Sequence, residues 1–465
     1  MARGKKKEDL SLEEKLKQAL VPVDEQPYKI PENWCWTRLD YVADYKKGPF
    51  GSAITKAMFV PKTTNTYKVY EQGNAIRKTT QYGDYYISEE KYNELKGFAV
   101  APGDLIVSCA GTIGETFQLP EGIEDGVINQ ALMRVRVSEN INIQYYLYYF
   151  DDMLRQDITG NSKGSAIKNI PPFSVLKKFC FPLPPYNEQQ KIVEQIHYYL
   201  RKLEEAREVI QNAIDGSELR KKAIFQAAIE GKLTSKWRDD NNVNRSEWKR
   251  CILSDVLDLI TYGFTNPMPD AESGPWKITA KSIHDGIIDY GVSRKTTQKA
   301  FDEELTEKSK PILNDVLLTK DGSIGRVAVV DREGICINQS VALLRPNASI
   351  LPGYLRDLLQ SPEIQNIMEL NSGGATIKHI YITRVDKMEI EVPSIEEQSE
   401  IEIQLHLFLE RERAVKERLE TILVQIDLMK KSILSKAFRG ELGTNNSDEE
   451  SSVELLKQIL KEVNR

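Results

Sequence analysis

Two stretches of the chain place apolar residues at alternating steps of four and three. The first runs Ile192, Ile196, Tyr199, Leu203, Ala206, Ile210 and Ala213, then Ile224 and Ala227 after a weak stretch at Ser217 and Arg220. The second runs Ile401, Leu405, Phe408, Val415, Leu419, Ile422, Ile426, Met429 and Ile433, with Glu412 as its weak position. This spacing puts one apolar seam on a helix and is that of a coiled coil. Neither stretch contains proline. The pattern therefore predicts one long helix over Glu188–Glu230 and another over Glu397–Arg439, each stopped by a glycine, Gly231 and Gly440. A helix of that length would extend ~65 Å, more than a single domain requires, so the two seams are expected to pack on each other.

The regions before these helices have a different rhythm. Short β-like runs rich in Val, Ile, Tyr and Thr alternate with turn residues. Asp104–Ser108 precedes a turn at Gly111, and Asp315–Thr319 precedes a turn at Gly322; further runs follow at Ala131–Val137 and Val341–Leu344. Pro182, Pro184, Pro185 and Pro393 mark the turns that feed the helices. Thr234–Arg245 and Gly443–Ser452 are rich in Asn, Asp and Ser and read as exposed linkers. Two shorter helices flank the whole, around Glu14–Leu20 and Glu454–Leu460.

The same text is written twice. Asn161–Ile170 (NSKGSAIKNI) matches Asn371–Ile380 (NSGGATIKHI), and Gly111-Thr112-Ile113-Gly114 matches Gly322-Ser323-Ile324-Gly325. Asn129-Gln130 matches Asn338-Gln339, Pro184 with Glu188-Gln189 matches Pro393 with Glu397-Gln398, and Lys221-Lys222 with Gly231 matches Lys430-Lys431 with Gly440. The order is kept and the offset stays between 209 and 211, as expected of a tandem duplication. Residues 46–100 and 262–312 barely align, although they lie between matching landmarks. A repeated scaffold with dissimilar variable regions suits one protein reading two different sequences.

With 465 residues, 40% hydrophobic and 28% charged, the composition is that of a globular protein. No apolar run approaches the ~18 residues of a membrane span, and the basic N-terminus is not followed by the apolar core of a signal peptide. A cytoplasmic protein without membrane association is expected. The five cysteines and four histidines are scattered, which disfavours disulfides and metal sites. Motifs for catalysis fail on inspection. Leu183-Pro184-Pro185-Tyr186 and Ile170-Pro171-Pro172-Phe173 resemble an amine-methylating motif, but Leu and Ile replace the polar residue that would accept the hydrogen bond of the target amine. Gly231-Lys232-Leu233 lacks the hydroxyl of a phosphate-binding loop. The two Gly-x-x-Gly segments could bind an anion, but between strands they read first as tight turns.

Charge is distributed unevenly. The chain carries a net −6, yet Tyr45–Tyr82 holds seven cations against Glu71 alone, and Trp276–Lys299 holds five against Asp285 and Asp289. Phosphates need such cations, and base edges need Arg, Lys, Asn and Gln on a rigid support. The candidate DNA-binding residues are Lys46, Lys47, Arg77, Lys78, Lys163 and Lys168 in the first copy, and Lys277, Lys281, Arg294, Lys295 and Lys378 in the second.

The repeated order of β-rich region, Pro-x-x-x-Glu-Gln junction and long helix ending in Lys-Lys and then Gly-Lys/Glu-Leu resembles the DNA specificity subunit of Type I restriction-modification enzymes. Ile30-Pro31-Glu32-Asn33-Trp34 and Lys436-Ala437-Phe438-Arg439-Gly440-Glu441-Leu442 are similar to that family's sequences, although the second copy opens only with Ser246-Glu247-Trp248. The resemblance covers nearly the whole chain. It implies an α+β, pseudo-twofold architecture: an N-terminal helical segment (1–30), target recognition domains at 31–185 and 246–394, long helices at 186–235 and 395–442 forming an antiparallel coiled coil that holds the domains apart, and a C-terminal linker with a short helix (443–465). It further implies double-stranded DNA, two methyltransferase subunits and two restriction subunits as partners. S-adenosylmethionine, ATP and Mg would then belong to those partners and not to this non-catalytic chain, whose helices set the spacer between half-sites and dock the methyltransferases.

Overall fold

The computed structural model describes residues 11–160, 173–373 and 379–462. The chain divides into two units, Met1–Arg207 with Val424–Arg465, and Glu208–Leu423. Each contains one β-rich domain and part of both long helices.

In the first unit the strands are β1 (Cys35–Arg38), β2 (Ala43–Lys47), β3 (Thr66–Tyr70), β4 (Tyr86–Ser88), β5 (Leu105–Ser108), β6 (Thr116–Gln118), β7 (Gly126–Ile128), β8 (Leu132–Val137) and β9 (Cys180–Leu183). They form a four-stranded sheet in the order β2-β8-β5-β6, a three-stranded sheet β4-β3-β7 and a ribbon β1-β9. In the second unit the strands are β10 (Lys249–Ile252), β11 (Leu257–Tyr262), β12 (Ala271–Ile278), β13 (Ile283–His284), β14 (Ile287–Ile288), β15 (Arg294–Lys295), β16 (Val316–Thr319), β17 (Val327–Val329), β18 (Ile335–Ile337), β19 (Val341–Pro346) and β20 (Glu389–Val392). The arrangement repeats as β11-β19-β16-β17, β15-β12-β18 and β10-β20, with the small hairpin β13-β14 added. Even the parallel pairs recur, β3 with β7 and β12 with β18. The regions whose sequences barely align thus hold equivalent strands. A strand requires alternating burial rather than particular side chains.

Matched polar ties hold both copies. Arg136 grips the buried Asp104 with two bonds of 2.7 Å, and Arg345 grips the buried Asp315 with two of 2.8 Å. The glutamine of each Glu-Gln junction is buried and bridges two segments. Gln189 donates to Pro184 O (3.0 Å) and accepts from Asn142 N (2.8 Å), while Gln398 donates to Pro393 O (2.9 Å) and accepts from Leu351 N (2.7 Å). Each junction ties a long helix to the proline turn before it and to the start of another helix, at Ile143 or Pro352.

The first long helix departs from the expected single element. It runs Tyr186–Asp215 and resumes as Ser217–Ile229, interrupted at Gly216. Glycine weakens a helix interior, and the interruption coincides with the weak stretch of the seam. Arg220 reaches back to Ala213 O (2.7 Å) and pairs with Glu412 at 2.7 Å, so the weak positions of the two seams meet as an ion pair. Arg220 holds the Glu412 carboxyl below its ordinary range. The second helix is continuous, Ile395–Phe438.

Within each unit the two helices run antiparallel. Glu204 pairs with Lys430 and Arg207 with Asp427 in the first unit, as Arg220 does with Glu412 in the second. The seam itself requires correction at five positions. Tyr199, Ala206, Val415, Ile422 and Met429 are exposed, and their next residues, Leu200, Arg207, Lys416, Leu423 and Lys430, are partly buried. A straight helix drifts against a strict heptad, and the stems of long charged residues cover the contact instead.

The expected linkers are likewise structured. Thr234 is buried and opens a helix, Ser235–Asn241. Within 443–452, Thr444 bonds to Glu188 (2.7 Å) and Ser452 N donates to Asn33 O (2.9 Å). The flanking helices Leu12–Ala19 and Ser452–Glu462 share the first unit's core through Leu16, Ala19, Leu456 and Ile459. Trp34 and Trp248 are both buried and occupy matching places, the first against Gly440 and the second against Gly231. Trp248 therefore opens the second domain as Trp34 opens the first.

Candidate nucleic-acid interface

The two Gly-x-x-Gly segments are tight turns of the same build. In the first, Gly111 and Gly114 take φ of +66° and +82°. The Ser108 hydroxyl donates to Thr112 O and accepts from Glu115 N (2.9 Å), and Gly114 N donates to Ser108 O (2.9 Å). In the second, Thr319 takes the place of Ser108, bonding Ser323 O and Arg326 N (2.9 Å), and Gly325 N donates to Thr319 O (2.9 Å). Amides at 114, 115, 325 and 326 are thereby used inside the turns, which argues against an anion cradle.

Beside each turn lies the segment that follows the central strand of the three-stranded sheet. In the first domain Gln72 donates to Ala110 O and, at 3.4 Å, to Thr112 O, while Lys78 pairs with Glu115 at 2.8 Å. Arg77 is exposed and lies over the Tyr82 ring at 4.6 Å. Lys47 stands near Cys109, whose thiol is pushed up to about 11 by burial, with Lys47 acting in the opposite sense. Neighbours on a strand point to opposite faces, and Lys46 accordingly lies elsewhere, over Phe98 at 5.1 Å. The first-copy candidates therefore divide: Lys47 and Lys78 approach the turn, Arg77 adjoins them in sequence, and Lys46 turns away.

In the second domain the equivalent place is a cleft of about 850 Å³. Lys277, Lys281, Arg294 and Arg326 line it together with Asp270, Asp321, Ser323 and Asn338. Lys277 and Arg294 both pair with Asp270, the latter at 2.8 Å, and the two cations hold that carboxyl below its ordinary range. Lys281 is exposed and has no ion-pair partner among the described residues. Lys295 lies over the Trp276 ring at 4.3 Å. His379 pairs with Asp321 at the head of the turn, and His379 and Gly373 exchange backbone bonds of 2.9 and 2.8 Å. The candidates Lys163, Lys168 and Lys378 lie outside the described residues.

The sequence reading missed Gln72, Asp270, Asp321 and Arg326. A signal existed for Arg326: the matching turns end in Glu115 and Arg326, opposite charges at one place. Asp270 gave none, because its role depends on strands that bring residues 270, 277 and 294 together. The groups presented here are guanidinium, ammonium, amide and hydroxyl donors with a few carboxylates, the chemistry that meets phosphates and base edges.

A family model described as the Type I restriction modification DNA specificity domain matches residues 31–212 and again 246–423. The chain belongs to this family. The specificity subunit of the EcoBI Type I restriction enzyme of Escherichia coli is 28% identical over 363 residues, covering 75% of each chain. The EcoKI specificity subunit of Escherichia coli K12 is 25% identical over 299 residues, 62% of this chain and 63% of the relative. Among solved structures, the HsdS subunit from Thermoanaerobacter tengcongensis is 18% identical and superposes with a TM-score of 0.58 over 90% of this chain and all of its own, a likeness of fold. The protein is thus a Type I restriction-modification specificity subunit with two tandem specificity domains. Among its described residues no helix is long and apolar enough to cross a membrane.

Proposed function

We propose that each β-rich domain of this specificity subunit reads one half of a bipartite, asymmetric site on double-stranded DNA. One observation carries the reading: two domains of the same topology present a polar, cation-bearing segment beside the same glycine turn, with different side chains in each. A common support with dissimilar readers is what recognition of two unlike half-sites demands. Lys47, Arg77 and Lys78 act for the first half-site; Lys277 and Arg294 act for the second, with Lys281 beside them as a phosphate contact. Lys46, Lys295, Lys163, Lys168 and Lys378 are candidate phosphate contacts.

The chain performs no chemistry of its own. Methyl transfer belongs to two methyltransferase subunits using S-adenosylmethionine, and restriction to two further subunits using ATP and Mg, all in the cytoplasm. The long helices set the unread spacer and dock the methyltransferases. Val415 and Ile422, exposed and spaced by seven on one helix, supply apolar surface for that docking.

The test is a domain exchange. Replacing residues 31–180 with the equivalent domain of a relative, then mapping methylated sites in the host genome, is expected to change one half of the motif and preserve the other. A change in both halves would refute separable reading.

A further inference from the structure

Lys277 of β12 and Arg294 of β15 are direct cross-strand partners. Like charges placed opposite each other on paired strands repel, and here the Lys277 side chain is only 13% exposed. Asp270 resolves the conflict. One carboxylate oxygen takes the Lys277 ammonium and the other takes Arg294 Nη1 at 2.8 Å. Lys277 also donates to the carbonyls of Met268 (3.1 Å) and Pro269 (3.3 Å), which fixes the loop that carries Asp270. The outcome is an arginine whose side chain is 78% exposed yet held at one edge of its guanidinium, through Nη1.

An exposed arginine ordinarily gives up rotamer freedom on binding. This one has already given up part of it, and a single Asp270 bond leaves other donors of the guanidinium fork free. The trio carries a net charge of only +1, a poor design for neutralising phosphates. It stands at a concave cleft of about 850 Å³, beside the exposed Lys281, which has no ion-pair partner among the described residues and is better suited to that task. Two parallel donors in a fixed fork match the O6 and N7 acceptors that guanine alone presents in the major groove.

We infer that Arg294, positioned by Asp270 and Lys277, reads a guanine in the half-site of the second domain. The inference rests on the DNA-reading function proposed above. Its test uses the specificity subunit assembled with its methyltransferase subunits and a DNA library randomised over both half-sites, with methylated molecules sequenced. Arg294→Ala is expected to relax one position that requires guanine in the wild type, lowering discrimination there roughly 5- to 150-fold, and to leave the other half-site intact. Asp270→Asn should relax the same position less. Lys281→Ala should weaken all sequences equally and reduce the salt dependence. Arg294 is exposed, so its variants should fold; thermal unfolding of each variant checks this. A uniform loss in Arg294→Ala would make it a phosphate contact and overturn the inference, as would an unchanged motif or relaxation at a position not requiring guanine. Exchange of residues 246–394 in parallel separates the two claims: if it leaves the motif unaltered, the reading function itself fails, whatever Arg294 does.

Discussion

Glu188 and Glu397 begin the two long helices from matching positions, and both are fully buried, yet they are housed differently. Glu397 is saturated. Arg238 donates to it at 2.5 Å, Thr234 at 2.9 Å and the Trp248 indole at 2.9 Å. Glu188 accepts from Thr444 at 2.7 Å, while its Oε2 and the Trp34 indole nitrogen have no hydrogen-bond partner among the described residues. Burial pushes the Glu188 carboxyl above its ordinary range, with Thr444 opposing. The difference shows which parts of a duplicated scaffold are free to drift. The backbone frame and the glutamine bridges repeat closely, whereas the counter-ion at the neighbouring carboxylate need not, because a buried acid can be paired or can shift its proton equilibrium.

Breaking the saturated socket should have the largest effect. Arg238→Ala strands a buried carboxylate, and the second unit is expected to lose about 3–5 kcal/mol in urea unfolding. A loss below about 1 kcal/mol would show that the pair is structurally idle. The helix stop comes next. Gly440 sits at φ +72°, and an added Cβ would fall 2.4 Å from Pro31 Cγ. Gly440→Ala should therefore cost the first unit about 2–4 kcal/mol, combining the left-handed backbone with displacement of the proline ring. Full stability in this variant would mean that the segment after the helix moves freely.

The smallest effect should have the opposite sign. A carboxyl whose folded pKa is raised contributes stability below its unfolded value near 4.5 and loses it as pH rises through the raised value. Above that raised value the ionised Glu188 is therefore a cost. Glu188→Gln is expected to flatten the decline in stability as pH rises from the unfolded value near 4.5, and to leave the unfolding midpoint unchanged or slightly higher once that decline is complete. A clear destabilisation above that decline would show that the charge is needed.

Much of the scaffold was legible in the sequence because its signals are local. Gly231 and Gly440 stop helices because only glycine takes the required backbone at little cost, and the Glu-Gln junctions repeat because one side-chain geometry must bridge two segments. The candidate interface was legible as a region but not as a set of contacts. A count of cations treats Lys277, Lys281 and Arg294 alike, although Asp270 pairs with Lys277 and Arg294 and not with Lys281. The breaks in the seam at Ser217, Arg220 and Glu412 were visible one helix at a time, and their meeting was not.

The sequence by itself determined that a unit is repeated, where its helices end and which residue types bear the positive charge. These follow from offsets, spacing and composition, which are properties of the chain taken in order. The tertiary structure alone decided that dissimilar segments build the same three sheets, that supposed linkers carry buried residues, and that Lys277 and Arg294 face each other across strands with Asp270 between them. Those outcomes depend on pairings between distant residues, selected by burial and by the cost of leaving a polar group unpaired, and no local pattern in the chain records them.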